Sequence, residues 1–442
     1  MEQGDSLRWD LDRICRGVAK GLRICADFAE EGIASIATDG WAVDYVRLGD
    51  DGQPLENPFC YRDERTVAAE NEVARLISRE RLYQLTGIQF LRLNTLYQLY
   101  ADKLAGKNSG ARWMNLPEFV AHQLGGIPAA EFTNATHTQL VRLGTQEWSR
   151  EIFGALGLDV AAAPPIVPTG AVLGRLTGSL ASLAAFRDTI LLAPACHDTA
   201  SAIAGIPAHD DDWAFISSGT WSLVGTVLDR PCVTPESFRE NFTNLGGVGG
   251  QVCFLKNVNG LWLLQRCVQH WQSQAHSWTA AELAEEAAKL PPPDGLLDVD
   301  DPDLLLPGDM PERINVQRRR RGLKPLAPGH GSGPAYANLI FHSLAARYAE
   351  VLKTAAAVTG KKFKRLYIVG GGGRNRLLNR LTAENTGLEV HVGSPENATI
   401  GNFAVQLAAL ERGSAAAGGV SRETVSRWAE SLCASPLVTS NR

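Results

Sequence analysis

The sequence predicts an α/β protein in two domains, and three observations carry that reading. The chain has 442 residues, beyond the ~250–300 at which a single core stops growing. After Leu191, short apolar runs end repeatedly in glycine-bearing turns, as in Trp213 to Leu223 and Leu366 to Asn375. The last of these continues into a helical stretch from Asn375 to Asn385 and a further strand, Leu388-Glu-Val-His-Val, which is a βαβ unit. The boundary is expected near Gly205-Ile-Pro207, giving domains over 1–205 and 206–442.

The N-terminal half justifies its elements one by one. Leu11 to Glu31 carries Ile14, Val18, Leu22, Cys25 and Phe28 at helical spacing, opens after Trp9-Asp10 and stops at Gly32. Ile33-Ala-Ser-Ile-Ala-Thr reads as a short buried strand and Val43-Asp-Tyr-Val-Arg-Leu as an alternating one. Asp50-Asp-Gly52 is a hairpin turn. Helical patterns run from Arg65 to Ala105, with Gly106 as a stop, and the Ala/Pro/Gly-rich stretch from Ala161 to Leu183 reads as a surface connection. In the second half, Pro291 to Gly295 and Lys324 to Gly333 bracket an irregular insertion. One long amphipathic helix follows from Ala335 to Val358.

Composition confines the function. Apolar residues at 45% and charged residues at 21% are the balance of an ordinary soluble globular protein. A net charge of −5 without a basic stripe argues against a nucleic-acid partner. The one basic run, Arg318 to Arg321, sits among prolines and glycines and reads as a solvated loop face. No apolar run reaches the ~18 residues of a membrane span, and the first residues do not form a signal peptide. Eight scattered cysteines, without zinc-type spacing, read as reduced thiols of a cytoplasmic protein. No residue is assigned as a metal ligand.

Three turns carry chemistry. Asp198, between Leu191-Leu-Ala-Pro-Ala-Cys and Ala200-Ser-Ala-Ile-Ala-Gly, is a carboxylate at a strand end and a helix start. Backbone N–H groups and the helix dipole there favour its ionised form. It could take a proton from a hydroxyl, or it could simply cap the helix. Ser217-Ser-Gly-Thr220 offers converging N–H groups and hydroxyls for phosphate oxygens, or a capped hairpin turn. Gly370 to Gly373 let a ligand lie against backbone. The dinucleotide spacing Gly-x-Gly-x-x-Gly fails there, and the next strand ends Val392-Gly-Ser394 without an acidic residue for a ribose, so NAD is disfavoured. Thr38-Asp-Gly-Trp-Ala-Val-Asp44 suits a sugar's hydroxyls and apolar face, or core packing with a turn. Lys256-Asn-Val-Asn-Gly-Leu-Trp-Leu-Leu-Gln265 brings amides before and onto a helix. Together the turns read as an ATP-dependent kinase for a small hydroxylated substrate.

These segments, with Tyr61-Arg-Asp-Glu-Arg-Thr66, Gly87-Ile-Gln-Phe90, Asn94-Thr-Leu-Tyr-Gln-Leu99, Thr133-Asn-Ala-Thr136 and Thr243-Asn-Leu-Gly-Gly247, resemble the FGGY family of carbohydrate kinases across nearly the whole chain, and most closely its branch acting on L-rhamnulose. The resemblance implies two actin-like ATPase (ribonuclease H-like) domains with a cleft between them. It implies transfer of the γ-phosphate of ATP, with Mg²⁺, to O1 of the ketose. Asp198 would be the general base, Ala42, His197, Asp198, Thr199 and Asn257 would contact sugar, and Thr220, Gln265 and Gly371 would contact ATP. A monomer or small homo-oligomer is expected, and cleft closure should need both ligands. Gly40, Ala42 and Leu245 depart from the family's Asp-Thr-Trp-Gly-Val-Asp and Thr-Asn-Glu-Gly-Gly patterns. The family's opening strand and its Asp-Leu-Gly-Ala-Ser-Ser-Gly-Arg-like phosphate loop have no counterpart here. The first domain is therefore expected to be N-terminally truncated, with Met1 an internal codon. The alternatives are another ketose such as L-fuculose, or a catalytically impaired sugar-binding pseudo-kinase.

Overall fold

The computed structural model describes residues 2–3, 6–107, 110–208, 210–272, 278–306, 308–413 and 418–434. Its contacts divide the chain into two compact units, Met1–Pro207 with Val227–Phe254 and Ala398–Arg442, and Ala208–Thr226 with Leu255–Asn397. They differ from the contiguous halves expected above because later segments return to the first unit. The helix Asn397–Arg412 lays Gly401 so close to the helix Asp198–Ala204 that a Cβ would overlap the Ser201 carbonyl. Ala404, Val405 and Ala408 of that helix share a core with Leu192 and Ala200. No local pattern marks such a return.

In the first unit, the helix Leu11–Phe28 opens on Asp10, whose side chain accepts from the Arg13 N–H. It stops three residues earlier than its pattern suggests, and Gly32 follows with φ 93°. Its Val18, Leu22 and Ala26 pack on a core built from Leu173, Leu176, Leu180, Phe186 and Leu191. The strand Ile190–Leu192 lies between Ser35–Ala37, parallel to it, and Val172–Arg175, antiparallel to it. The stretch 161–183 thus supplies a sheet strand and the buried Ala162, Leu173, Leu176 and Leu180, so it is more than a surface connection. Gly174 makes this possible: at φ 142°, its Cβ position lies 3.1 Å from the Gly125 carbonyl, which excludes larger residues.

The predicted helical span from 65 to 105 is three helices, Thr66–Leu76, Arg79–Thr86 and Thr95–Leu104, broken at extended Ile77 and at left-handed Gly87. Their Val73, Leu82, Leu96 and Tyr97 join Tyr45 and Trp113 in one core. The strand Tyr45–Arg47 pairs antiparallel with Trp113–Asn115, and Leu48 bridges Pro54 around the Asp50–Gly52 turn.

In the second unit, the strand Trp213–Ser218 is antiparallel to Trp221–Leu228 and parallel to Arg365–Val369, which is parallel to Glu389–Val392. The βαβ unit is therefore present as read, with the helix Arg376–Thr386 capped by Asn375. The helix Gly333–Thr359 buries Leu339, Ile340, Leu344, Tyr348 and Leu352, and Tyr348 OH lies 2.6 Å from Ser222 Oγ. The basic run corrects its reading. Arg318 to Arg320 close the helix Met310–Arg320, and Arg318 is 2% exposed, with Nη2 on Asp294 at 2.7 Å and Nε on the Lys324 carbonyl at 2.7 Å. No described helix is long and apolar enough to cross a membrane.

Candidate active site

Asp198 is the first residue of its helix, directly after the N-cap His197. The Gly40 N–H donates to the Cys196 carbonyl at 3.0 Å and the Asp198 N–H to the Gly40 carbonyl at 2.8 Å. Those two bonds bring the turn bearing Ala42 beside His197, Asp198 and Thr199 in one corner of the first unit.

The turn itself is strained. Val43, next to the buried Ala42, holds φ 72°, a left-handed conformation unusual for a β-branched residue. Its carbonyl accepts from Thr95 Oγ1 at 2.8 Å and Gln98 Nε2 at 3.2 Å. The following Asp44 accepts from the indoles of Trp9 and Trp41 at 2.6 and 2.9 Å. These neighbours over-determine the backbone and fix what Ala42 presents.

Burial decides the electrostatics. The Asp198 side chain keeps 47% of its surface, yet desolvation by the surrounding protein pushes its pKa up to about 6, outweighing hydrogen bonds from the Thr199 backbone and hydroxyl. The Thr199 N–H does favour the ionised form, as expected from the helix start, but desolvation outweighs it. Burial drives His197 and His137 down to about 3, so both are neutral, their rings 4.7 Å apart and T-shaped. His197 Nε2 stands 3.5 Å from Asp198 Oδ1.

Behind this corner lies a polar layer that the motif reading missed. Glu131, fully buried, accepts from Thr133 N and Oγ1 at 3.0 and 2.5 Å, from Thr169 Oγ1 at 2.5 Å and from Cys196 N at 3.0 Å. The carboxylate thus suspends the segment that leads into His197. Its one local signal is an acidic residue set among small and apolar ones, Ala129-Ala-Glu-Phe132.

Asn257, Thr220, Gln265 and Gly371 belong to the second unit. The turn after Ser218 is a tight hairpin in which the Gly219 N–H donates to the Trp221 carbonyl at 2.8 Å. That N–H is already engaged, so the hairpin is a poorer backbone phosphate cradle than its sequence suggests. The Gly219 and Thr220 carbonyls accept from the N–H groups of Leu261 and of Trp262, the first residue of the helix Trp262–Gln272. Gly260 permits this approach, its Cβ position being 2.7 Å from the Gly219 carbonyl. Thr220 and Gln265 are thereby joined, Oγ1 to Oε1 at 3.4 Å. The glycine run forms a short 3₁₀ turn, Gly371–Arg374, rather than opening the helix directly. Gly370, at φ 86°, lies over Ser218, whereas nothing stands within 4 Å of a Cβ at Gly371. A hydroxyl, an amide and an open glycine face fit an adenine nucleotide. Among the described residues no group of three or more His, Cys, Asp and Glu side chains is placed to hold a metal ion; Mg²⁺ carried on substrate phosphates and water needs few protein ligands.

Residues 2–205 match the N-terminal domain and residues 214–410 the C-terminal domain of the FGGY family of carbohydrate kinases. The rhamnulokinase of Enterococcus faecalis is 37% identical over 412 residues, spanning 91% of this chain and 80% of that protein. That of Bacteroides thetaiotaomicron is 36% identical over 432 residues, spanning 97% and 86%. Among solved structures, ligand-bound xylulose kinase from Lactobacillus acidophilus is similar with a TM-score of 0.74 at 16% identity, covering 98% of this chain and 90% of that one. Glycerol kinase from Plasmodium falciparum with ADP gives 0.71 at 12% identity, covering 97% and 85%. Fold and family matches thus define a two-domain, mixed α/β sugar kinase. The chain belongs to the FGGY family of carbohydrate kinases and is a phosphotransferase.

Proposed function

We propose that this kinase transfers the γ-phosphoryl group of ATP to O1 of L-rhamnulose, in the cytoplasm. The observation that carries this reading is the 37% and 36% identity to two rhamnulokinases over most of the chain. Asp198 acts as general base, taking the O1 proton late in a loose phosphoryl transfer. A carboxyl near pKa 6 is ionised at neutral pH and a better proton acceptor than an ordinary aspartate. Neutral His197 and Thr199 hydrogen-bond sugar hydroxyls, Ala42 sets the shape of the pocket wall, and Asn257 adds an amide. Thr220, Gln265 and Gly371 hold the nucleotide. ATP would supply the phosphoryl group, and Mg²⁺ carried on its phosphates would offset their charge.

A ketose panel with purified protein tests the substrate: kcat/KM should be highest for L-rhamnulose, and a higher value for L-fuculose or another ketose overturns the assignment. Asp198→Asn tests the base. Turnover should fall ~10²–10⁴-fold while sugar affinity by calorimetry stays within a few-fold. A loss of less than tenfold would overturn the assignment of Asp198 as the base.

A further inference from the structure

A second carboxylate, Asp39, lies on the turn whose backbone pairs with the segment bearing Asp198, in the same unit, and no step above uses it. Asp39 precedes Gly40, whose two backbone hydrogen bonds at 3.0 and 2.8 Å tie it to Cys196 and Asp198. The Asp39 carboxylate is aimed by a chain of buried amides. Asn402 Nδ2 donates to Asp39 Oδ2 at 2.7 Å, Asn402 Oδ1 accepts from Gln406 Nε2 at 2.7 Å, and Gln406 Oε1 accepts from Ser35 Oγ at 2.7 Å. Asn402 and Gln406 are 8% and 6% exposed. Their helix cannot drift, because Gly401 lies against the Ser201 carbonyl and its Cβ position is 2.8 Å from the Gly205 nitrogen. An aspartate held this firmly at a distance of 363 residues in sequence is costly to keep unless its charge matters.

We propose that Asp39 is a positioning residue of the phosphoryl-acceptor site that acts through Asp198: its carboxylate, aimed by Asn402, keeps the neighbouring carboxyl a stronger base. The proposal rests on Asp198 being that base. Two neighbouring carboxylates resist ionising together, so each raises the proton affinity of the other and they titrate as a pair. Burial first, and then the charge of Asp198, push Asp39 up to about 6, against hydrogen bonds from Asn402 and Ser201. The other titratable groups around the pair are neutral His197 and His137, the buried Cys196 thiol, and Glu118 and Glu131, both close enough to Cys196 to raise its pKa. None of them places a positive charge on the pair.

The test is the pH dependence of kcat/KM in Asp39→Asn and Asp39→Glu. Wild type should lose activity as pH falls through about 6, where Asp198 protonates. Asp39→Asn removes the neighbouring negative charge, so that acid limb should move to lower pH by about one unit or less. The plateau rate should fall several-fold, with the sugar KM within about twofold, and Asp39→Glu should restore the limb. Should Asp39→Asn not fold, Asn402→Ala should move the limb in the same direction, since Asp39 without its donor is more often protonated. Titration of the Asp198 carboxyl carbon by NMR reads the same shift without turnover. An unmoved acid limb in a folded variant, with Asp198→Asn inactive, overturns this inference alone; an active Asp198→Asn overturns the base reading beneath it.

Discussion

Three adjacent glycines do three different jobs. Gly370 supplies a left-handed turn at φ 86° and lets the chain pass with its Cβ position 2.8 Å from the Ser218 carbonyl. Gly372 lies where any Cβ would overlap Ser218 Oγ. Gly371 has neither constraint, and its open face is where the nucleotide is proposed to lie. Gly371→Val should therefore fold with little change in Tm yet weaken ATP binding by about tenfold or more, at least ~1.4 kcal/mol, with sugar affinity unaltered. Gly370→Val should destabilise the fold itself. Thermal melts and calorimetry on the two variants separate these roles, and unaltered nucleotide affinity in folded Gly371→Val would move the site elsewhere. The sequence marks this run as special because four glycines follow a strand. It does not mark which glycine faces a ligand, since that depends on Ser218, some 150 residues earlier. Asp39 is similar: it was visible inside a motif, but Asn402, which gives it meaning, carries no local signal.

Elements were legible where one face meets one environment. The helix Gly333–Thr359 and the parallel strands Arg365–Val369 and Glu389–Val392 were recognisable because their periodicity or apolar run is undisturbed. Two segments were misread because composition misleads about burial. The Ala/Pro/Gly-rich stretch 161–183 resembles a linker, but small residues and Gly174 are what a strand needs when another backbone crosses close by. The arginine run resembles a solvated loop, but it ends a helix whose register sends Arg318 inward and its neighbours outward. Arg319 and Arg320 pair with Glu312 and Asp303 on side chains 47% and 61% exposed. Arg318→Ala should thus destabilise by about 2–4 kcal/mol, through lost packing and a stranded Lys324 carbonyl. Arg319→Ala and Arg320→Ala should each stay within about 0.5 kcal/mol. Urea unfolding of the three variants measures this, and equal effects would return the whole run to the surface.

At the scale of the molecule, buried carboxyls set the pH dependence of stability. Burial raises Asp39, Asp44 and Asp198 to about 6 and Glu118 to about 7, and raises Glu131. Each is raised above its unfolded value, so its contribution is present at low pH and is lost as pH rises through the folded pKa. His137 and His197, held near 3, work the other way: their contribution is present above about 6.5 and fades as pH falls. Asp198, with about half its side chain in water, is screened and counts for little; the other four carboxyls still outnumber the two histidines, so stability should decline as pH rises from about 4 to 7. Glu118 isolates the effect. Its Oε1 accepts from the Glu131 N–H at 3.1 Å and its Oε2 from Asn134 Nδ2 at 2.8 Å. Asn134 Oδ1 is buried without a partner, so in Glu118→Gln a flip of the Asn134 amide supplies an acceptor for the new NH₂. The variant keeps both contacts and removes a charge that must otherwise be ionised in the core beside Glu131. Its Tm should match wild type near pH 4 and exceed it from about pH 7 upward, by an amount worth a few kcal/mol. Melting curves of both proteins from pH 4 to 8 decide it: parallel curves would mean that Glu118 is ionised, or protonated, across the whole range, and that the buried layer under the site does not set the pH dependence of the fold.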